Sequence, residues 1–168
     1  MKAENVIGPV SIVDKSARPY LGIRFDTPFD GMFGLVTKAL KEMRKWSNEN
    51  LPYDAGPYFV RYYHCDMKAI MDVEVGLMTN SGLAGQGRIK PGLLPKGKYA
   101  TLVYRGNGLR GNQALMKWAS DQGITFDPLV AGEVESYSSR YEAYLTDYRV
   151  ESRKLLWDVE LSIKIVDG

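Results

Sequence analysis

The chain has 168 residues, of which 45% are apolar and 25% charged, and this composition is typical of a globular protein of one domain or two small modules. Its formal net charge is +2 and the basic residues are scattered, so we expect no nucleic-acid surface. The single cysteine, Cys65, excludes an internal disulfide and favours a reducing compartment. We expect a cytoplasmic protein, because the N-terminal residues lack a signal pattern and no apolar run approaches the ~20 residues of a membrane helix.

The first half of the chain predicts strands, one helix and two further strands, in that order. The helix covers residues 32–48, where apolar residues recur at spacings of three and four: Met32, Val36, Leu40 and Met43. Asp30 stands where an N-cap is expected. Alternating or β-rich segments predict strands near 10–13, 20–25, 58–64 and 71–78.

The second half repeats this order. Strands are predicted at 98–105, 138–145 and 156–166, with a helix over 109–122 that ends at Gly123. The alternating segment Asp72–Leu77 (DVEVGL) recurs as Asp158–Ile163 (DVELSI), which indicates an internal duplication. A connection rich in glycine and proline separates two modules, about residues 6–80 and 88–168.

Two such modules predict an α+β fold. Each strand-helix-strand-strand unit has one helix to cover one face of its sheet, and two units related by a pseudo-two-fold axis can join their sheets. We therefore expect a single domain with an antiparallel sheet, both helices on one side, and a ligand cleft on the other side.

Several segments resemble the GyrI-like family, which also supplies the effector-binding domain of multidrug-responsive transcription regulators of the AraC and MerR types. Leu94–Ala100 (LPKGKYA) is similar to the family's entry into its second module, and Arg140–Asp147 (RYEAYLTD) is similar to its strand with a central glutamate. The two Asp-x-Glu strands also fit, and the resemblance extends over residues 6–166. The chain is identified as a free-standing member of this family.

The resemblance implies that Glu142 is the carboxylate of a pocket for lipophilic, aromatic and often cationic small molecules, without a cofactor. Strand alternation puts Arg140, Glu142 and Tyr144 on one face of the sheet. Tyr141 and Ala143 then point to the other face, which we expect to lie under the helices.

Four further residues are candidate ligand contacts. The repeat aligns Tyr62 with Tyr144 and Val60 with Glu142, so two tyrosines would flank one central carboxylate. Glu74 and Glu160 lie on the polar sides of their strands and are candidates for the same concave face, or else they are ordinary exposed charges. Trp157 begins a strand and can line the rim or pack in the core. We expect no metal site, since one histidine and one cysteine cannot form an ordinary zinc site.

Two other functions remain open at the level of sequence. Some relatives hydrolyse reactive cyclopropane-containing compounds, and Glu142 could donate a proton or activate water in such a reaction. Another relative inhibits a topoisomerase through protein contact. Both binding and hydrolysis need a carboxylate in an apolar cleft, so the sequence does not separate them.

Overall fold

Both halves of the chain contribute strands to one large antiparallel sheet. The computed structural model describes residues 5–53, 55–133 and 135–166. Within these residues the elements are β1 (Val6–Ile7), β2 (Ser11–Lys15), β3 (Arg18–Pro28), α1 (Met32–Asn50), β4 (Tyr58–His64), β5 (Ile70–Met78), β6 (Lys90–Leu94), β7 (Gly97–Arg105), α2 (Gly108–Gln122), β8 (Arg140–Tyr144), a 3₁₀-helix (Lys154–Leu156) and β9 (Val159–Lys164).

The strand order confirms the α+β fold built from duplicated units. The strands lie in the order β1-β7-β9-β8-β4-β5-β3-β6, and β2 also pairs with β7. The orders β7-β9-β8 and β3-β5-β4 are therefore the same arrangement, and the two units join where β8 pairs with β4. Val60 of β4 lies opposite Glu142 of β8 at this junction. These two residues are repeat equivalents, so their pair lies on the pseudo-two-fold axis.

Both helices pack against the same face of this sheet. Their buried residues form one core cluster with the strand side chains beneath them, including Val36, Met43, Leu115, Val60, Leu102 and Leu161. Burial of this apolar stripe is what stabilises two helices of this length against the sheet. Among the described residues, no helix combines the length and apolar character that crossing a membrane requires.

The helix ends lie within two residues of the predicted ones, but the cap of α1 differs from the prediction. The Asn107 side chain accepts a hydrogen bond from the Leu109 amide at 2.9 Å and so caps α2. Gly123 ends α2 with φ of 67°, as predicted. The prediction that Asp30 caps α1 is wrong: Gly31 stands at that position with φ of 84°, and no side chain caps this end. A left-handed turn at glycine starts α1 instead.

The face of the sheet opposite the helices carries a second apolar cluster. It consists of Tyr20, Phe59, Met78, Leu94, Tyr99, Tyr141 and Ala143. The rings pack edge to face, with centroids 4.9 Å apart for Tyr20 and Phe59 and 6.0 Å apart for Phe59 and Tyr141. The central strands are thus buried on both sides.

The face on which Glu142 lies differs from the prediction. Glu142 and Tyr144 lie on the helix-covered face, together with Val60 and Leu161, and Tyr141 and Ala143 lie on the helix-free face. The sequence predicts the reverse assignment of these two pairs. All five residues of β8 are buried, so alternation separated its two faces correctly but gave no indication of which face the helices cover.

Gly76 of β5 provides a test of this packing. A Cβ atom at Gly76 would lie 2.4 Å from the ring of Phe59, the fully buried residue opposite it on β4. We expect Gly76→Ala to lower the free energy of unfolding by about 1–3 kcal/mol, because the ring has no free space to move into. Urea denaturation measures this change.

Gly82→Ala is the matched control, since a Cβ atom there would meet nothing within 4 Å. Equal midpoints for the two variants would show that the Phe59 layer is not packed as described.

Candidate functional site

Glu142 is a buried carboxylate at the centre of the helix-covered face. Its backbone lies between Val60 of β4 and Leu161 of β9, and its side chain is 9% exposed. The hydroxyl of Tyr104, on β7, donates a short hydrogen bond to Glu142 Oε2. A carboxylate removed from water needs such donors, so the Tyr104 contact stabilises the buried group.

The two predicted tyrosines are brought to the same place. Burial raises the pKa of Tyr62 well above its usual value, and the neighbouring Glu142 carboxylate adds to the rise. Burial and Glu142 raise the pKa values of Tyr104 and Tyr144 in the same way. All three phenols therefore remain protonated at neutral pH and present neutral, polar ring edges beside one carboxylate.

Trp157 supports this group from the segment that precedes β9. Its ring packs edge to face on Tyr144 with centroids 5.3 Å apart, and its indole nitrogen donates to the Glu151 carbonyl at 2.5 Å. Trp157 is 4% exposed. It therefore packs on Tyr144 and also lines the pocket beside that ring.

A cation already occupies this aromatic region. Lys154, in the 3₁₀-helix, places its Nζ 4.9 Å from the centroid of the Tyr144 ring and 5.8 Å from that of Phe33 at the start of α1. Burial lowers the pKa of Lys154, the Glu142 carboxylate opposes that change, and Arg44 adds to it. The ammonium thus lies over the Tyr144 ring and within the electrostatic influence of the Glu142 carboxylate.

Glu74 and Glu160 do not belong to this group. Val75 and Leu161, next to them in sequence, face the helices, so both carboxylates lie on the opposite face. Glu74 Oε1 accepts hydrogen bonds from Tyr20 at 2.5 Å and from Tyr63 at 2.6 Å. Glu160 forms an ion pair with Lys15. The expectation that they share a concave face with Glu142 is wrong, because the predicted polar side of these strands is a second buried face.

Sequence reasoning missed Tyr104 and Lys154. Alternation along the strand predicted at 98–105 places Tyr104 on the same face as Leu102. Once it is known that the helices cover this face, the same alternation predicts that Tyr104 lies there. No sequence signal identifies Lys154, because it lies in an irregular segment whose path is set by packing.

Two pockets open near these residues, one on each face. A pocket of about 370 Å³ lies beside Tyr144 and Trp157, between the C-terminal half of α1 and the segment after β8, and is also lined by Arg44, Tyr58 and Tyr148. A second pocket of about 350 Å³ lies on the helix-free face next to Tyr99, Tyr141 and Glu160. The first pocket adjoins the Glu142 group through Tyr144.

One cluster offers ligand atoms for a metal. His64, Asp66 and Glu135 present donor atoms that all lie within 4.8 Å of one another. The prediction of no metal site counted only histidine and cysteine as ligands. The tertiary structure adds two carboxylates to His64, and Glu135 is exposed.

The fold is shared with solved structures of known proteins. The C-terminal domain of EcmrR has a TM-score of 0.70 and 19% identity, over 96% of this chain and 99% of that chain. In the EcmrR–DNA complex the TM-score is 0.70 at 20% identity, over 95% of this chain, which spans 58% of the EcmrR chain.

Two further structures share the fold at lower identity. A hydrolase from Listeria innocua has a TM-score of 0.59 and 12% identity, over 94% of this chain and 91% of that chain. SAV2435 bound to tetraphenylphosphonium has a TM-score of 0.61 and 12% identity, over 95% of this chain and 94% of that chain. At such identities the likeness shows the fold alone.

No curated protein matches the sequence. The family of the GyrI-like small molecule binding domain does match it, over residues 8–165. The duplicated sheet with two helices agrees with that match, and the chain belongs to the GyrI-like small molecule binding domain family.

Proposed function

We propose that this small-molecule binding domain takes lipophilic, aromatic molecules that often carry a positive charge, as in multidrug binding, with Glu142 as their counter-charge. The observation that carries the proposal is the Glu142 carboxylate, buried among Tyr62, Tyr104 and Tyr144 with a cation already beside it. SAV2435, a distant structural neighbour, was solved with such a cation.

Lys154 indicates how a ligand charge would be held. Its ammonium lies over the Tyr144 ring and within the field of Glu142, which are the two interactions that an aromatic cation would make there. A desolvated cation–π contact contributes about 1–2 kcal/mol, and apolar burial of a flat ligand contributes the remainder of an affinity near micromolar, roughly −8 kcal/mol.

A ligand cation must displace the Lys154 ammonium, since both need the same carboxylate and ring. Lys154 belongs to a 3₁₀-helix outside the sheet, and its neighbour Leu155 is exposed. A lysine side chain is long and flexible, so its ammonium can move to solvent while the strand pairing stays intact.

The role of Glu142 is tested with two probes of similar shape, the cation tetraphenylphosphonium and the neutral triphenylphosphine oxide. We expect Glu142→Gln to weaken tetraphenylphosphonium binding about tenfold or more, ~1.4 kcal/mol, because the counter-charge is lost. Binding of triphenylphosphine oxide should change much less. Isothermal titration calorimetry gives both constants.

Glu160→Gln is the control, because it removes the same charge from the opposite face. Equal weakening of both probes by Glu142→Gln, or an equal effect of Glu160→Gln on the cation, would count against a charge-selective site at Glu142.

Displacement of Lys154 is tested by removing its charge. We expect Lys154→Met to strengthen tetraphenylphosphonium binding about tenfold, since the competing ammonium is gone and an apolar side chain remains. Lys154→Arg should give no such gain because it keeps a cation.

Lys41→Met is the control for net charge, since Lys41 is exposed on α1. An identical affinity gain in Lys41→Met and Lys154→Met would mean that general electrostatics, and not displacement, sets the affinity.

Other expectations from the sequence stay predictions. Hydrolysis of electrophilic small molecules by Glu142 has the same buried carboxylate to work with, and inhibition of a topoisomerase would use a surface outside the pocket. A cytoplasmic location and the absence of a nucleic-acid partner likewise rest on composition and charge.

A further inference from the structure

We infer that the 370 Å³ pocket beside Tyr144 is a separate subsite for an aromatic anion, with Arg44 as the group that binds the anion. This site differs from the proposed Glu142 site in the sign of the charge that it selects. It does not depend on the proposed function, because its evidence is the environment of Arg44.

Aromatic rings surround the Arg44 guanidinium. Its central carbon lies 3.8 Å from the centroid of the Tyr148 ring, 5.8 Å from that of Tyr58 and 5.9 Å from that of Trp157. Stacking on Tyr148 holds the guanidinium plane in place while its edges remain available for hydrogen bonds. Rings fix the direction of this cation but supply no negative charge.

Within residues 5–53, 55–133 and 135–166, Arg44 has no ion-pair partner, and its Nε is a buried donor without a hydrogen bond. Asp147, the carboxylate that lines the same pocket, is held by the Arg149 side chain and accepts from the Arg149 amide at 2.9 Å. Arg44 lines the pocket, so an anion that enters would supply the counter-charge that the described residues do not provide.

The rest of the lining favours a small, flat molecule. Tyr144 and Trp157 form an aromatic wall of the pocket, and Ser47, Asn48 and Tyr58 add polar groups to its lining. A volume of about 370 Å³ is at the small end of ligand pockets, which run roughly from 300 to 1,000 Å³. An aromatic carboxylate of about two fused rings fits this combination of a ring wall, donors and one guanidinium.

Lys154 adds to the positive potential at this place. Arg44 lowers the pKa of Lys154, after burial as the main cause, so the two cations lie close enough to repel each other. An anion bound at Arg44 would relieve that repulsion.

The test compares 2-naphthoate with its neutral analogue 2-naphthamide by isothermal titration calorimetry. We expect the wild-type chain to bind 2-naphthoate saturably. Arg44→Met should weaken this binding about tenfold, because the bidentate guanidinium contact is lost. Arg44→Lys should weaken it less, because the positive charge is kept. Binding of 2-naphthamide should be the same in all three proteins. The indole resonance of Trp157 should shift during the 2-naphthoate titration of the wild-type chain.

Arg110→Met is the matched control, because Arg110 is exposed on α2 and the substitution removes the same charge. No 2-naphthoate binding by the wild-type chain, or equal losses in Arg44→Met and Arg110→Met, would overturn the subsite. Tetraphenylphosphonium binding by Arg44→Met reports separately on the Glu142 site. Loss of cation binding in every protein, with Arg44-dependent 2-naphthoate binding intact, would overturn the proposed function and leave this inference standing.

Discussion

The pairing of β4 with β8 is the contact on which the fold and the site both depend. It joins two three-stranded units into one sheet, with Tyr58 opposite Tyr144 at one end and Arg61 opposite Tyr141 at the other. The central pair, Val60 and Glu142, lies on the pseudo-two-fold axis. Because equivalent positions meet at that axis, a valine in one half and a glutamate in the other put one carboxylate at the middle of the helix-covered face.

Burial of carboxylates is the second constraint, and the two faces of the sheet meet it differently. On the helix-free face, Glu74 is held by Tyr20 and Tyr63, and Arg61 donates to the Tyr20 hydroxyl at 3.0 Å. A Cβ atom at Gly22 would lie 2.8 Å from the Glu74 carboxylate, so that cluster has no room for a ligand. On the other face, Glu142 accepts a hydrogen bond from Tyr104, and the nearby cation, Lys154, belongs to the 3₁₀-helix outside the sheet.

The helix-covered face therefore presents charges of both signs around the same aromatic residues. Glu142 is two residues from Tyr144 on β8, Arg44 lines the same pocket as Tyr144, and Lys154 lies over the Tyr144 ring. In the proposed function, the aromatic walls would provide affinity without strict geometry, and the charges would decide which molecules are accepted. Arg44, Glu142 and Lys154 come from α1, β8 and the 3₁₀-helix, so the charge pattern exists only in the folded chain.

Local patterns in the sequence determined the order of helices and strands, the duplication, and the grouping of Glu142 with Tyr62 and Tyr144. Helical spacing and strand alternation are properties of neighbouring residues, and repeat alignment transfers them from one half to the other. Tertiary structure alone decided that the helices cover the Glu142 face and that Glu74 and Glu160 lie on the other face. It also decided that Tyr104 and Lys154 lie beside Glu142 and Tyr144, with Arg44 in the neighbouring pocket. The first physical reason is that β8 is buried on both faces, so alternation separates its two sides without showing which side the helices cover. The second is that tertiary packing, and not local pattern, sets the path of the segment that carries Lys154.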